Sequence, residues 1–363
     1  MLETEQVREE VRQLAGEGTA PAEPTQRSHV HLSEFGADLT HQAENGELPP
    51  LIGRELEMQR VIQVLSRLTG NNPLLVGEQG VGKKTLVYGL AQPIAGGVVC
   101  NMAGRSIVNL DLAVIVSGTK SRARFEENLE QIVQEILYDR PGPIFSIDGL
   151  HSLARTEHFL SVANVIKPAL MSGKVQCIST ATPAEHAKTV EAAPWLEECF
   201  TVVEIKLPNE AEAIQVLVGV KDRFQKFHQV TYTDEAIQYA VFHSNSYFPN
   251  RYLPEKAIDL IDEAGARVKL RQSTLPLEMR DAQKQIKLFG SRQAYAINNH
   301  EFSKARFYED ELKKARENLK ALGEKYKIDS IATVSVTRED VEQIVAERTG
   351  RSLESLRQSR TIS

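Results

Sequence analysis

The chain is poor in what secreted, metal-clustered and membrane-spanning proteins are built from. Three cysteines occur in 363 residues, Cys100, Cys177 and Cys199, far apart and with no CxxC pair. Zinc-cluster and disulfide frameworks are thereby excluded, and the thiols read as packing residues of a reducing, cytoplasmic setting. No run of 18 apolar residues is present, and the opening stretch MLETEQVREEVRQL is acidic and amphipathic rather than a basic stub before an apolar segment. The expectation is a chain with neither signal peptide nor membrane span. Excess positive charge is missing too: 43 Lys and Arg face 49 Asp and Glu, a net charge of −6, so neither nucleic acid nor an anionic membrane is expected as a partner.

What remains is ordinary globular material, 41% hydrophobic and 25% charged, enough for two or three packed units. Residues 3–15 read as a short helix, followed by a linker rich in proline and glycine, GEGTAPAEPTQRSH. From LPPLIGRELEMQRVIQVLSRL onward the body begins, with Met58, Val61, Ile62, Leu65 and Leu68 at helical spacing. Apolar runs at 73–77, 106–111, 143–148, 176–181 and 202–207 alternate with helical stretches. That rhythm predicts an α/β fold, a parallel sheet with helices on both faces. Past Pro208 the pattern is helical. Leu275, Met279, Ala282, Ile286 and Phe289, then Ala305, Tyr308, Leu312, Ala315, Leu319 and Leu322, form two heptad-like stripes around the polar turn AINNHEFS. They predict an antiparallel coiled-coil hairpin, with two ordinary amphipathic helices as the alternative.

The chemistry sits in GEQGVGKKT, residues 77–85. A phosphate-binding loop G-x-x-x-x-G-K-[ST] offers backbone N–H groups and a lysine to phosphates, and a hydroxyl to magnesium. Gly77, Glu78, Gln79, Gly80, Val81, Gly82 and Lys83 fit the pattern, and the loop lies between an apolar strand and the helix KKTLVYGLAQ, whose N-terminus favours anions. Lys84 stands in the hydroxyl's slot, where an ammonium cannot coordinate a metal and repels it. Thr85 is no substitute, because consecutive helical residues point about 100° apart. In place of the metal, Lys84 is expected to neutralise phosphate charge itself. The companion acidic position is Asp148, ending the strand IFSID, a weak, indirect metal holder or else a helix N-cap. Gly149 follows where a water-polarising glutamate is often found, and His151 reads as a structural residue or as a replacement base.

With those residues in view, the chain resembles the first ATPase module and middle domain of the Clp ATP-dependent unfoldases, most like the ClpC branch of the AAA+ superfamily. FGADLTHQAENGELPPLIGRELEMQRVIQVLSRLTGNNPLLVGE, YLPEKAIDLIDEAGA, EFSKARFYEDELKKAREN and VTREDVEQIVAERTG carry the likeness. The resemblance implies a P-loop fold with a five-stranded parallel sheet, a small helical lid and an inserted helical hairpin. It implies ATP or ADP held near Leu51, Ile52 and the loop through Thr85, and assembly as a hexameric ring. It divides the chain into a residual N-terminal helix (1–17), a linker (18–50), the large subdomain (51–207), the lid (208–272), the middle-domain hairpin (273–325) and a return to the lid with a tail (326–363). The usual family chain also has a full N-terminal domain and a second ATPase module. The hairpin would contact Clp ATPase or protease components or adaptors.

Family members carry a hydroxyl at Lys84, a glutamate at Gly149, and two arginines, reaching a neighbour's nucleotide, at Glu198 and Cys199. An aromatic pore residue is replaced by Ser121, and the polar sensor position falls on Ala181 or Thr182. No intact catalytic residue is therefore expected, nor magnesium. The implied function is a nucleotide-binding module with lost or weak ATPase activity that regulates or supports a Clp machine. The alternative is an active unfoldase subunit whose defects are compensated elsewhere.

Overall fold

The computed structural model describes residues 34–99, 102–117, 122–138, 142–149, 159–273, 276–326 and 335–358. The helix expected at 3–15, Cys100, Ser121 and His151 lie outside them. Six strands form the main sheet: β1 (Gly36–Asp38), β2 (Asn72–Val76), β3 (Ile107–Leu110), β4 (Ile144–Asp148), β5 (Gln176–Ala181) and β6 (Phe200–Glu204), in the order β1-β3-β4-β5-β2-β6. The five from β2 to β6 pair in parallel, as the alternating rhythm predicts. The sixth, β1, pairs antiparallel with β3, Ala37 opposite Asn109. It comes from the stretch expected to be linker. Its sequence, GAD, carries no strand signal; pairing at a sheet edge holds it. Asp38 then caps the helix α1 (Leu39–Glu44) by accepting from the N–H groups of Thr40 at 2.9 Å and His41 at 3.1 Å.

Residue alternation divides the sheet's faces. Ile107, Ile144 and Ile178 pack on one side with Leu86, Leu90 and Val64. Val108, Phe145 and Cys177 pack on the other with Phe125, Leu129 and Leu170. The helices that supply these partners are α2 (Glu55–Leu65), α3 (Lys83–Ala95), α5 (Arg122–Tyr138) and α6 (Phe159–Met171) on either face, α4 (Leu112–Ser117) being a short turn before α5. Such period-two alternation is what burial on both faces requires. One member of the expected helical stripe fails: α2 ends at Leu65, so Leu68 lies in the loop before β2 and is 90% exposed, while Val64 is buried instead.

Two short helices, α7 (Pro183–Ala192) and α8 (Trp195–Cys199), lead from β5 into β6. The lid follows: α9 (Glu210–His228), α10 (Asp234–Tyr247) and α11 (Glu255–Ser273), with α14 (Arg338–Thr349) and α15 (Leu353–Gln358) returning to it after the hairpin. Leu217, Ile237, Leu260, Val341 and Ile344 share its core. A two-stranded parallel ribbon, β7 (Thr231–Tyr232) with β8 (Ser335–Val336), joins the two arms. Between them project α12 (Leu277–Asn298) and α13 (Phe302–Tyr326), an antiparallel pair whose seam is Met279, Ala282 and Leu319, flanked by Ile286 and Leu322. Glu278 closes the base of the pair by accepting from Lys325 Nζ at 2.9 Å and from the Tyr326 hydroxyl at 3.1 Å.

Candidate functional site

A cleft of about 1200 Å³ lies between the C-terminal ends of the sheet strands and the lid, lined by Leu51 to Glu57, the loop from Gln79 to Thr85, Asp148, Gly149 and the lid residues Ile258 and Glu255. Open α/β sheets bind ligands outside the carboxyl ends of their strands.

The loop is shaped by its glycines. A Cβ on Gly77 would lie 2.7 Å from the backbone oxygen of Ile205, so only glycine lets the strand end pass β6. Gly80 and Gly82 have φ of +76° and +100°, the left-handed conformation that a tight anion-cradling turn uses. Lys83 Nζ donates to the carbonyls of Gly77 at 2.7 Å and Glu78 at 2.9 Å. Burial lowers its pKa, opposed by the charges of Glu185, Asp148, Glu78 and Glu255. Behind the loop Arg54 pairs with Glu57 at 2.7 Å and donates to the Val81 carbonyl at 3.3 Å. Leu51 and Ile52 reach the cleft through notches in two helices. A Cβ on Gly89 of α3 would come within 2.5 Å of Leu51, and one on Gly219 of α9 within 2.5 Å of Ile52. The first packs on the sheet side and the second on the lid side.

At the other end of the cleft, Lys84 Nζ sits 2.7 Å from Asp148 Oδ2. Spacing alone pointed Lys84 at phosphate; the fold points it at the one carboxylate on β4 that a metal's water shell would use. Thr180, opposite Asp148 in the β4–β5 register, donates its hydroxyl to the other carboxylate oxygen. Burial is the largest influence on Asp148 and pulls its pKa upward, but the hydrogen bonds from Lys84 and Thr180 and the lysine charges outweigh it, and the net shift is downward. Lys84 is raised, first by its hydrogen bond to Asp148. Both groups are held charged.

Ala181 and Thr182, the two candidates for the polar sensor position, both line the cleft. Ala181 is buried, and the Thr182 hydroxyl caps α7 by accepting from the Glu185 N–H at 3.3 Å, with Glu185 answering the Thr182 N–H at 2.8 Å. The polar group that touches Asp148 is Thr180, which the strand register would have shown. Gly149 follows Asp148 with φ of +68° and lines the cleft. Glu198 and Cys199 are not brought to it: Glu198 lies 3.5 Å from Lys167 of α6, and Cys199 is buried with its carbonyl accepting from Asn72 Nδ2 at 3.0 Å.

The residues fit a nucleotide's phosphates, since Gly77 leaves no room for a Cβ, Gly80 and Gly82 hold the positive φ of an anion-cradling turn, and Lys83 stands at the loop's carbonyls. They do not fit magnesium, because an ammonium holds the acidic position.

Comparison with known proteins agrees with this architecture. A family profile described as "AAA lid domain" matches residues 209–327. The chaperone protein ClpC2 of Arabidopsis thaliana, described as chloroplastic, is 40% identical over 336 residues, 90% of this chain and 35% of that protein. A Guillardia theta homolog of the Clp protease ATP-binding subunit ClpA is 38% identical over 359 residues, 96% of this chain and 44% of that protein. Among solved structures, a closed-state Hsp104 reconstruction with ATPγS and FITC casein superposes with a TM-score of 0.68 at 27% identity, covering 88% of this chain and 45% of that one. The chain thus spans less than half the length of these relatives. With a phosphate loop, a parallel sheet and a helical lid arranged as in these proteins, the chain belongs to the Clp family of AAA+ proteins.

Proposed function

We propose that this chain is a Clp-type nucleotide-binding module that holds ATP or ADP without magnesium, hydrolyses it poorly or not at all, and acts as a regulatory or structural partner of a Clp chaperone or protease machine. The observation that carries this reading is the 2.7 Å ion pair between Lys84 and Asp148. Phosphoryl transfer is mostly positioning and charge stabilisation. An arginine finger contributes about 10³ to 10⁵ in rate and a positioned base about 10² to 10⁴. Gly149, Glu198 and Cys199 supply neither, and the terms are not additive, so the larger alone brings turnover to background.

Docking is assigned to the hairpin α12–α13, which projects from the lid and exposes Tyr295, Ile297 and Phe302 around its turn. The partner class is a Clp ATPase, a Clp protease component or an adaptor, and a hexameric ring is the assembly the family resemblance implies. The buried free thiols Cys177 and Cys199 suit a reducing compartment such as the cytoplasm. The active-subunit alternative draws on the intact loop and Lys83. Steady-state phosphate release separates the two, measured on the chain alone and mixed with an intact Clp ATPase. Background release alone, with a changed rate in the mixture, supports a regulator; appreciable release by the isolated chain favours the active subunit.

A further inference from the structure

The lid places a carboxylate on the phosphate loop. Glu255, the first residue of α11, lies flat against Gly80: a Cβ built on that glycine would come within 2.8 Å of both the Cβ and the Cδ of Glu255. Its neighbour Lys256 anchors the start of the helix that carries it. The Lys256 side chain is buried and donates to Asn245 Oδ1 at 3.0 Å and to the Phe248 carbonyl at 3.3 Å, while Asn245 donates to Glu210 Oε1 at 3.0 Å at the start of α9. The start of α11 is thus tied to the end of α10 and the start of α9, which places the backbone of Glu255 beside the loop. Its only ion-pair partner among the described residues, Arg251, is 3.7 Å away and is shared with Asp259.

The loop therefore carries opposing charge. Lys83 feels the carboxylates of Glu185, Asp148, Glu78 and Glu255 together, and Lys84 is already neutralised by Asp148. A site with a divalent cation offsets the charge that each further phosphoryl group brings. A site without one leaves that charge to meet the Glu255 carboxylate across a half-buried cleft, where water screens it less than in bulk.

We propose that Glu255 sets which nucleotide the cleft retains, favouring a nucleoside diphosphate over the corresponding triphosphate. This rests on the cleft being a nucleotide site, and makes the preference a property of the lid carboxylate. The test is calorimetric titration of the full chain with ADP and with ATP in EDTA, for the natural sequence and for Glu255→Gln, with thermal melting of both to confirm the fold. The natural chain is expected to bind ADP about tenfold more tightly than ATP, and raising the salt concentration should shrink that ratio. In Glu255→Gln the ratio should fall to about twofold or less, through tighter ATP binding. An unchanged ratio in the variant, or equal affinities in the natural chain, would overturn the role of Glu255 and leave the nucleotide site standing. Binding of neither nucleotide by either chain would overturn the nucleotide reading itself.

Discussion

The strands β2 and β4 both run to the cleft and end in a turn, yet the turns differ in what they keep. After β2 the function lies in the backbone: three glycines whose conformation and clearance make a cradle, and a helix N-terminus beneath it. After β4 it would lie in side chains, and those present are a carboxylate already paired with Lys84 and a glycine. A backbone device survives only while its glycines do, and at Gly77 an added Cβ strains the sheet as well as the site. A side-chain device can be lost one residue at a time with the fold intact. The contrast is the physical basis of the proposed function, in which a means of holding an anion is kept and the means of splitting one is lost.

The comparison breaks most severely at Gly77. Gly77→Ala drives a Cβ to 2.7 Å from a backbone oxygen that belongs to the sheet, and overpacking of this kind costs about 1–3 kcal/mol. Urea unfolding should show that loss together with abolished nucleotide binding; a stable, binding variant would mean the cradle is not built as described. Next comes Lys83→Ala, which removes a charged donor to phosphate and should weaken nucleotide binding about tenfold to a hundredfold while leaving the unfolding midpoint nearly unchanged. Affinity equal to the natural chain would show that the backbone alone holds the ligand.

Lys84→Thr sharpens the contrast at the other end. Freed from its ammonium, Asp148 can support a metal's water shell, so magnesium should now tighten ATP binding by about threefold to tenfold. Phosphate release should stay at background because Gly149, Glu198 and Cys199 are unchanged. Release that rose with this single substitution would place the block at Lys84 alone.

The smallest effect is on stability. Lys84 and Asp148 are both substantially exposed, so Lys84→Met should shift unfolding by no more than about 1 kcal/mol, and less at high salt. The sign follows from the two shifts. Asp148 has a lowered folded pKa, so its contribution is present above its ordinary value of 3.8 and is lost as pH falls through the folded value. Lys84 has a raised one, so its contribution is present below 10.5 and is lost as pH rises through the folded value. The difference between natural and variant chains should be flat across neutral pH and vanish at acid pH; a difference that grew on acidification would contradict the pairing.

The five parallel strands were legible within three residues because each carries a short apolar run between turn signals. β1 was not, since its three residues have no apolar alternation and are held by the partner strand. Leu68 continued a helical period past the point where Ser66 caps α2. In the site, the loop could be read in sequence because its parts are contiguous. Thr180 and the Lys84–Asp148 pair could not, because they join residues of β5, α3 and β4 that only the sheet register brings together. The contact between Glu255 and Gly80 is hidden for the same reason, lying across the gap between lid and sheet.

The most direct measurement is electron paramagnetic resonance of manganese, standing in for magnesium, with ATP and the chain in excess. The expected spectrum is that of the manganese–nucleotide complex in solution, unchanged by the protein, while nucleotide freed of metal by EDTA binds normally. A manganese signal broadened by a protein-held nucleotide, accompanied by cleavage of the terminal phosphate, would contradict it.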